Sequence, residues 1–92
     1  MTRTSQCNKI LKIMLENKNV IEWTASDFQK GKWFVGYEAT ARMSDLYNAY
    51  PELFIKGKVD RFRTLAINWD NVDAVKFHTD RLSMIEAIEG EN

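Results

Sequence analysis

The sequence predicts an α+β fold, with helices first, a β-hairpin after them and a further helical segment at the end. Three observations carry this. Cys7, Ile10, Leu11, Met14 and Leu15 recur at i, i+3, i+4, i+7 and i+8, the spacing of one buried helical stripe. Between Gly36 and Pro51, Ala39, Met43, Leu46, Tyr47 and Tyr50 make a second such stripe. From Arg61 the period becomes two: Arg63, Leu65, Ile67 and Trp69 fall on one side, and Phe62, Thr64, Ala66 and Asn68 on the other, as in a strand.

Taken in order, Ser5 is the expected cap of a first helix that runs to about Asn17. Asn17-Lys18-Asn19 reads as a turn, and Val20-Ile21-Glu22-Trp23, β-branched and aromatic, reads as a brief strand. Thr24 followed by Asp27 resembles a capping box with Asp in place of Glu, which starts a second helix at Ala25. Gly31 keeps that helix short. In the segment Lys30–Gly36 the lysines should be exposed, while Trp33 and Phe34 should pin the chain to the core. The third helix is expected within Val35–Pro51, opened by Gly36 and closed by Pro51. Its second face carries Thr40, Ala41, Ser44, Asp45 and Asn48, with Arg42 at the border. Lys56-Gly57-Lys58-Val59-Asp60 reads as the turn of a hairpin whose tip is basic and whose inner end is apolar. Asp70 or Asn71 can cap a last helix reaching Ile88; a strand at Val75–Phe77 followed by a helix capped by Thr79 is the alternative. Val72, Val75, Leu82 and Ile85 form one apolar side of that last segment, and Phe77, Met84, Ala87 and Ile88 a second, so it should touch two surfaces.

Composition sets bounds on function. Ninety-two residues, 45% hydrophobic and 12% aromatic, make one small domain with an aromatic-rich core. Cys7 alone permits no internal disulfide and suits a reducing cytosol; its place on the helical stripe makes it a small buried hydrophobe. No apolar run follows the opening MTRTSQ, so no secretory signal is expected, and no stretch is apolar enough for a membrane span. A cytoplasmic protein follows. Net charge is zero, but its distribution is not even. Residues 1–69 hold 11 Lys/Arg against 7 Asp/Glu, and residues 70–92 hold 2 against 6. Phosphate responds to the local patch and not to the total.

Helix, short strand, helix, longer helix and hairpin is the order of a winged helix-turn-helix: three helices over a small antiparallel sheet with a wing. Residues 1–69 would form this domain, and residues 70–92 an acidic C-terminal helical extension that is a candidate dimerisation element. About six residues separate the second and third helices, longer than the three- or four-residue turn of a tight helix-turn-helix.

WTASDFQ, FVGYEATARMSDL, a Tyr-Pro and DRFRTLAINW together resemble short winged helix-turn-helix proteins of bacterial phages and prophages. The resemblance covers roughly Ile10 to Trp69. It implies binding of double-stranded DNA and a role in phage transcription or DNA metabolism. In this chain Asp60-Arg61 stands where that group has Gly-Arg at the wing.

On this reading the DNA-binding residues are Thr40, Arg42, Ser44 and Asn48 on the helix, and Lys56, Lys58, Arg61 and Arg63 on the wing. Arg42 has three readings: a bidentate pair with guanine, an ion pair with Glu38 or Asp45, and between them a phosphate contact. The wing cations have their own alternative, charges that keep a hairpin edge from aggregating. Tyr37 and Tyr47 read as core. His78, the only histidine, reads as a surface or interface residue. No P-loop, dinucleotide fingerprint or metal-ligand cluster is present, so neither an enzyme nor a cofactor is expected. The competing function is a protein-interaction module that binds a host or phage protein. Glu38, Asp45 and the acidic tail favour it.

Overall fold

A computed structural model describes residues 2–90. Among them are four α-helices, one 3-10 turn and two strands. Helix α1 spans Arg3–Glu16; its cap is Thr2, whose side chain accepts from the Ser5 N–H, so the helix starts ahead of the expected Ser5. Ile10, Leu11 and Met14 are fully buried, and Cys7 lies half-buried at the edge of the same stripe. Burial of each large apolar side chain contributes about 1.5–3 kcal/mol, so this stripe fixes the helix more than its weak capping does.

Val20–Trp23 does not form a strand. It is reduced to a single bridge in which Trp23 and Leu65 exchange both backbone hydrogen bonds, each 2.9 Å. Trp23 is buried and stacks on Phe28 at 5.2 Å, so its ring anchors the segment where a longer ladder does not. Helix α2 is one turn, Ser26–Gln29. The Asp27 carboxylate accepts from the Thr24 N–H at 2.8 Å, one half of the expected capping box. The other half is replaced, the Asp27 N–H donating to the Thr24 carbonyl, and the N-cap is Ala25.

A 3-10 turn at Gly31–Trp33 follows. Trp33 meets Trp23 edge-on at 4.8 Å, but Phe34 is exposed. Val35, which is buried, holds the segment instead, and the Val35 and Gly36 N–H groups both donate to the Phe28 carbonyl. That tie to α2 keeps residues 35–38 out of the helix, and α3 spans Ala39–Ala49. Tyr37, expected in the core, is 83% exposed as a result. The rest of the α3 stripe is as the periodicity predicts: Ala39, Met43 and Leu46 are buried, Tyr47 and Tyr50 half-buried.

Strands β1 (Phe54–Val59) and β2 (Phe62–Ile67) form one antiparallel hairpin, pairing from Phe54–Ile67 to Val59–Phe62. Lys56–Val59 of the expected turn is therefore strand, and the loop is Asp60 and Arg61. Asp60 has φ +56°, a left-handed conformation that glycine adopts freely and Asp tolerates. Gly57 extends the strand through close approach: a Cβ there would stand 2.6 Å from Thr64 Oγ1. Gly57 resembles a turn signal in the sequence, but a missing side chain is what this pairing needs.

The last segment is a single helix, α4 (Val72–Gly90), with Asn71 Oδ1 accepting from the Ala74 N–H. Leu82 enters the common core, Ala74 and Val75 pack against it, and Lys12 of α1 pairs with Glu86. Phe77 and Met84 stay more than 60% exposed on the second side. Among the described residues, no helix is long and apolar enough to cross a membrane.

Candidate functional site

The hairpin leans over α3 and leaves a groove of about 460 Å³ between them. Thr40 and Ser44 of α3 line one wall. Lys56, Lys58 and Arg63 of the hairpin line the other, and Met43, Tyr47, Leu65 and Ala25 contribute apolar surface. Five of the eight residues singled out by sequence thus come together in one cleft, although they arise from two separate segments.

The hairpin register explains the cationic wall. Residues opposite each other across an antiparallel pair share a face. Phe54 with Ile67 and Lys56 with Leu65 begin a face that is buried at the base; Lys58 with Arg63 continues it past the core toward the tip. Lys56 Nζ sits 4.1 Å from the centre of the Tyr47 ring, close enough for a cation–π attraction. Lys58, Arg61 and Arg63 are exposed and make no ion pair among the described residues. Lys58 faces Arg63 directly, and like charges so placed destabilise a sheet.

Arg42 does not join them. It is buried, with Nε 3.0 Å from Asp45 Oδ2 and Nη1 3.7 Å from Glu38 Oε2. The ion pair, not an open base-reading side chain, is the geometry adopted. Two carboxylates within one turn hold the guanidinium, and α1 packs close enough for the Cys7 thiol to donate to the Arg42 carbonyl at 3.7 Å. Arg3 adds a further cation near Asp45, at 4.0 Å. Burial, with Asp45 nearby, pushes the Cys7 thiol above its ordinary value against the opposing pull of Arg42 and Arg3. Asn48 lies on the exposed face of α3 outside the groove, and Arg61 projects from the hairpin tip.

His78 is a second correction. It is buried, not superficial: its ring lies 4.3 Å from Tyr50 and 5.1 Å from Phe77, and its Nδ1 accepts from Arg81 Nε at 3.3 Å. Desolvation and the adjacent Arg81 lower its pKa, and Glu52 opposes them weakly. His78 reaches the end of α3 only through the packing of α4, a contact with Tyr50 that no local pattern in the sequence encodes.

Sequence reasoning also missed Tyr47 and Met43 as groove residues, because both belong to the buried stripe of α3. The available signal was the alternation in Phe54-Ile55-Lys56-Gly57-Lys58, which places Lys56 and Lys58 on the face of Phe54. Among the described residues, no three His, Cys, Asp or Glu side chains come together to hold a metal ion. The chain matches no protein-family profile, no curated protein and no solved structure.

Proposed function

We propose that this chain is a winged helix-turn-helix protein that binds double-stranded DNA, with α3 as the recognition helix and the β1–β2 hairpin as the wing. The observation that carries the reading is the groove shared by Thr40 and Ser44 on one wall and Lys56, Lys58 and Arg63 on the other. Hydroxyls and cations on facing walls suit a ridge of phosphates. Unneutralised Lys58 and Arg63 on the same face of the hairpin cost stability unless an anion joins them. The exposed side of α3, Thr40, Ala41, Ser44 and Asn48, is short enough to approach a groove closely.

Since Arg42 is engaged internally, affinity rests on the wing, and α3 contributes position and small hydrogen-bonding groups. Such a protein binds many sequences with modest preference, as phosphate contacts orient without specifying. A second copy joined through the exposed Phe77 and Met84 side of α4 would add contact area, as single small modules bury little DNA; sedimentation velocity reads this directly. The biological role that fits is a small phage or prophage regulator of transcription or DNA metabolism, acting in the cytoplasm.

The test is fluorescence anisotropy with mixed-sequence duplex at low salt. Binding that weakens in Lys58→Ala and Arg61→Ala supports the reading. Absence of binding by the folded wild-type chain overturns it.

A further inference from the structure

The hairpin carries two chemistries on opposite faces. Lys58 and Arg63 line the groove, and the alternate pair Val59 and Phe62 lies on the other face of the hairpin, outside the groove lining. These two close the Asp60-Arg61 loop, and they are 50% and 60% exposed. Among the described residues, neither belongs to the core cluster or packs against it, and the Phe62 ring meets no other aromatic ring. Ile55, 52% exposed, extends the same face toward the body. One face of the hairpin tip is thus apolar, with Lys58 and Arg63 on the opposite face and Asp60 and Arg61 in the loop between them.

We propose that Val59 and Phe62 form an apolar wedge that enters a base step of duplex DNA and bends it. This rests on the duplex-binding reading above. The partner is chosen by the charge around the wedge. Three cations without an ion-pair partner among the described residues call for a polyanion, and the apolar pair at the same tip calls for an apolar interior reached between anionic groups. Stacked bases between two phosphate strands supply both. An anionic bilayer supplies both as well, but a flat surface met by the tip would leave the exposed hydroxyls of Thr40 and Ser44, on the far wall of the groove, in water, whereas a duplex also reaches that wall. An inserted apolar side chain partially unstacks one step and kinks the duplex by about 20–90°. The hydrophobic pair then leaves water, and the cations of the groove face meet the flanking backbone.

The experiment uses the full chain and two short duplexes carrying a dye at each end. One is fully paired and the other has a central single-base mismatch, where unstacking is cheaper. Energy transfer reports the bend, and titration gives both affinities. The wild-type chain should raise transfer on both duplexes and bind the mismatched one roughly tenfold more tightly, a modest part of the unstacking cost. Phe62→Ala, at an exposed position, should keep its circular dichroism and its salt-sensitive binding. It should lose the bend and bring the preference to within about twofold. Phe62→Leu, still apolar, should keep both.

Binding by wild type without a bend or a mismatch preference overturns the wedge and leaves duplex binding standing. An unchanged bend in Phe62→Ala does the same. No binding to either duplex removes both readings. Phe62-dependent pelleting with anionic phosphatidylglycerol vesicles, without DNA bending, would assign the wedge to a membrane surface and overturn the proposal.

Discussion

Lys58 and Arg63 stand directly opposite each other across the hairpin, both exposed and neither neutralised by an acidic side chain among the described residues. A hairpin selected only for stability would place opposite charges there. Arg63→Glu should therefore stabilise the fold, by about 0.2–1 kcal/mol, through a cross-strand ion pair. The same change should weaken duplex binding severely. Urea denaturation beside anisotropy separates the two effects; a gain in stability with unchanged binding would show that the pair has no anionic partner.

Gly57 and Thr64 are also cross-strand partners, and their closeness is a matter of space. A methyl group at Gly57 would lie 2.6 Å from Thr64 Oγ1, so Gly57→Ala must displace the hydroxyl or splay the strands. Overpacking of this kind costs about 1–3 kcal/mol. Removing the obstacle in Gly57→Ala/Thr64→Ala should recover part of the loss, a non-additive result expected of residues in contact. Equal melting temperatures for Gly57→Ala and wild type would contradict the register.

The buried guanidinium of Arg42 makes a prediction opposite to that for a base-reading arginine. Asp45→Ala leaves the charge with only the more distant Glu38 and should destabilise by about 1–2 kcal/mol, the buried-pair figure discounted because Asp45 is partly solvated. Arg42→Met keeps the bulk, removes the charge and should stay within about 1 kcal/mol of wild type. Its duplex affinity should match wild type. A base contact through Arg42 would instead appear as an altered sequence preference in Arg42→Met.

His78 links stability to pH. Its folded-state pKa is lowered, by burial first and by Arg81 second, so the folded chain binds fewer protons than the unfolded one between the two values. Stability is then full above the ordinary histidine value of 6.5 and falls as pH drops below it. The slope is at most about 1.4 kcal/mol per pH unit. Thermal melts from pH 7.5 down to pH 5.5 should show this decline in wild type, and His78→Gln should show a flatter curve from a lower starting point.

The helices were legible because their stripes are periodic: Ile10, Leu11 and Met14, and then Ala39, Met43 and Leu46, are buried as their spacing requires. The hairpin was legible in its second strand, where alternation runs unbroken, and misread in its first, where Gly57 resembles a turn. Partner-dependent features were not legible. Arg42 is settled by the carboxylates of its own helix, Tyr37 by the tie of Val35 and Gly36 to Phe28, and His78 by a ring remote in sequence, Tyr50. The groove was half legible: its charges stood out, but Lys56, Lys58 and Arg63 share it with Thr40 and Ser44 only because the fold places the hairpin beside α3.

The most direct test of the account is the salt dependence of duplex binding. Lys56, Lys58, Arg61 and Arg63 should neutralise about three to five phosphates with their neighbours, giving a log–log slope of affinity against salt of about −3 to −4.5. Removing Lys58 or Arg61 singly should make the slope shallower by about 0.9 each. A folded chain whose duplex affinity is undetectable at low salt, or whose slope is indifferent to both substitutions, would contradict the account.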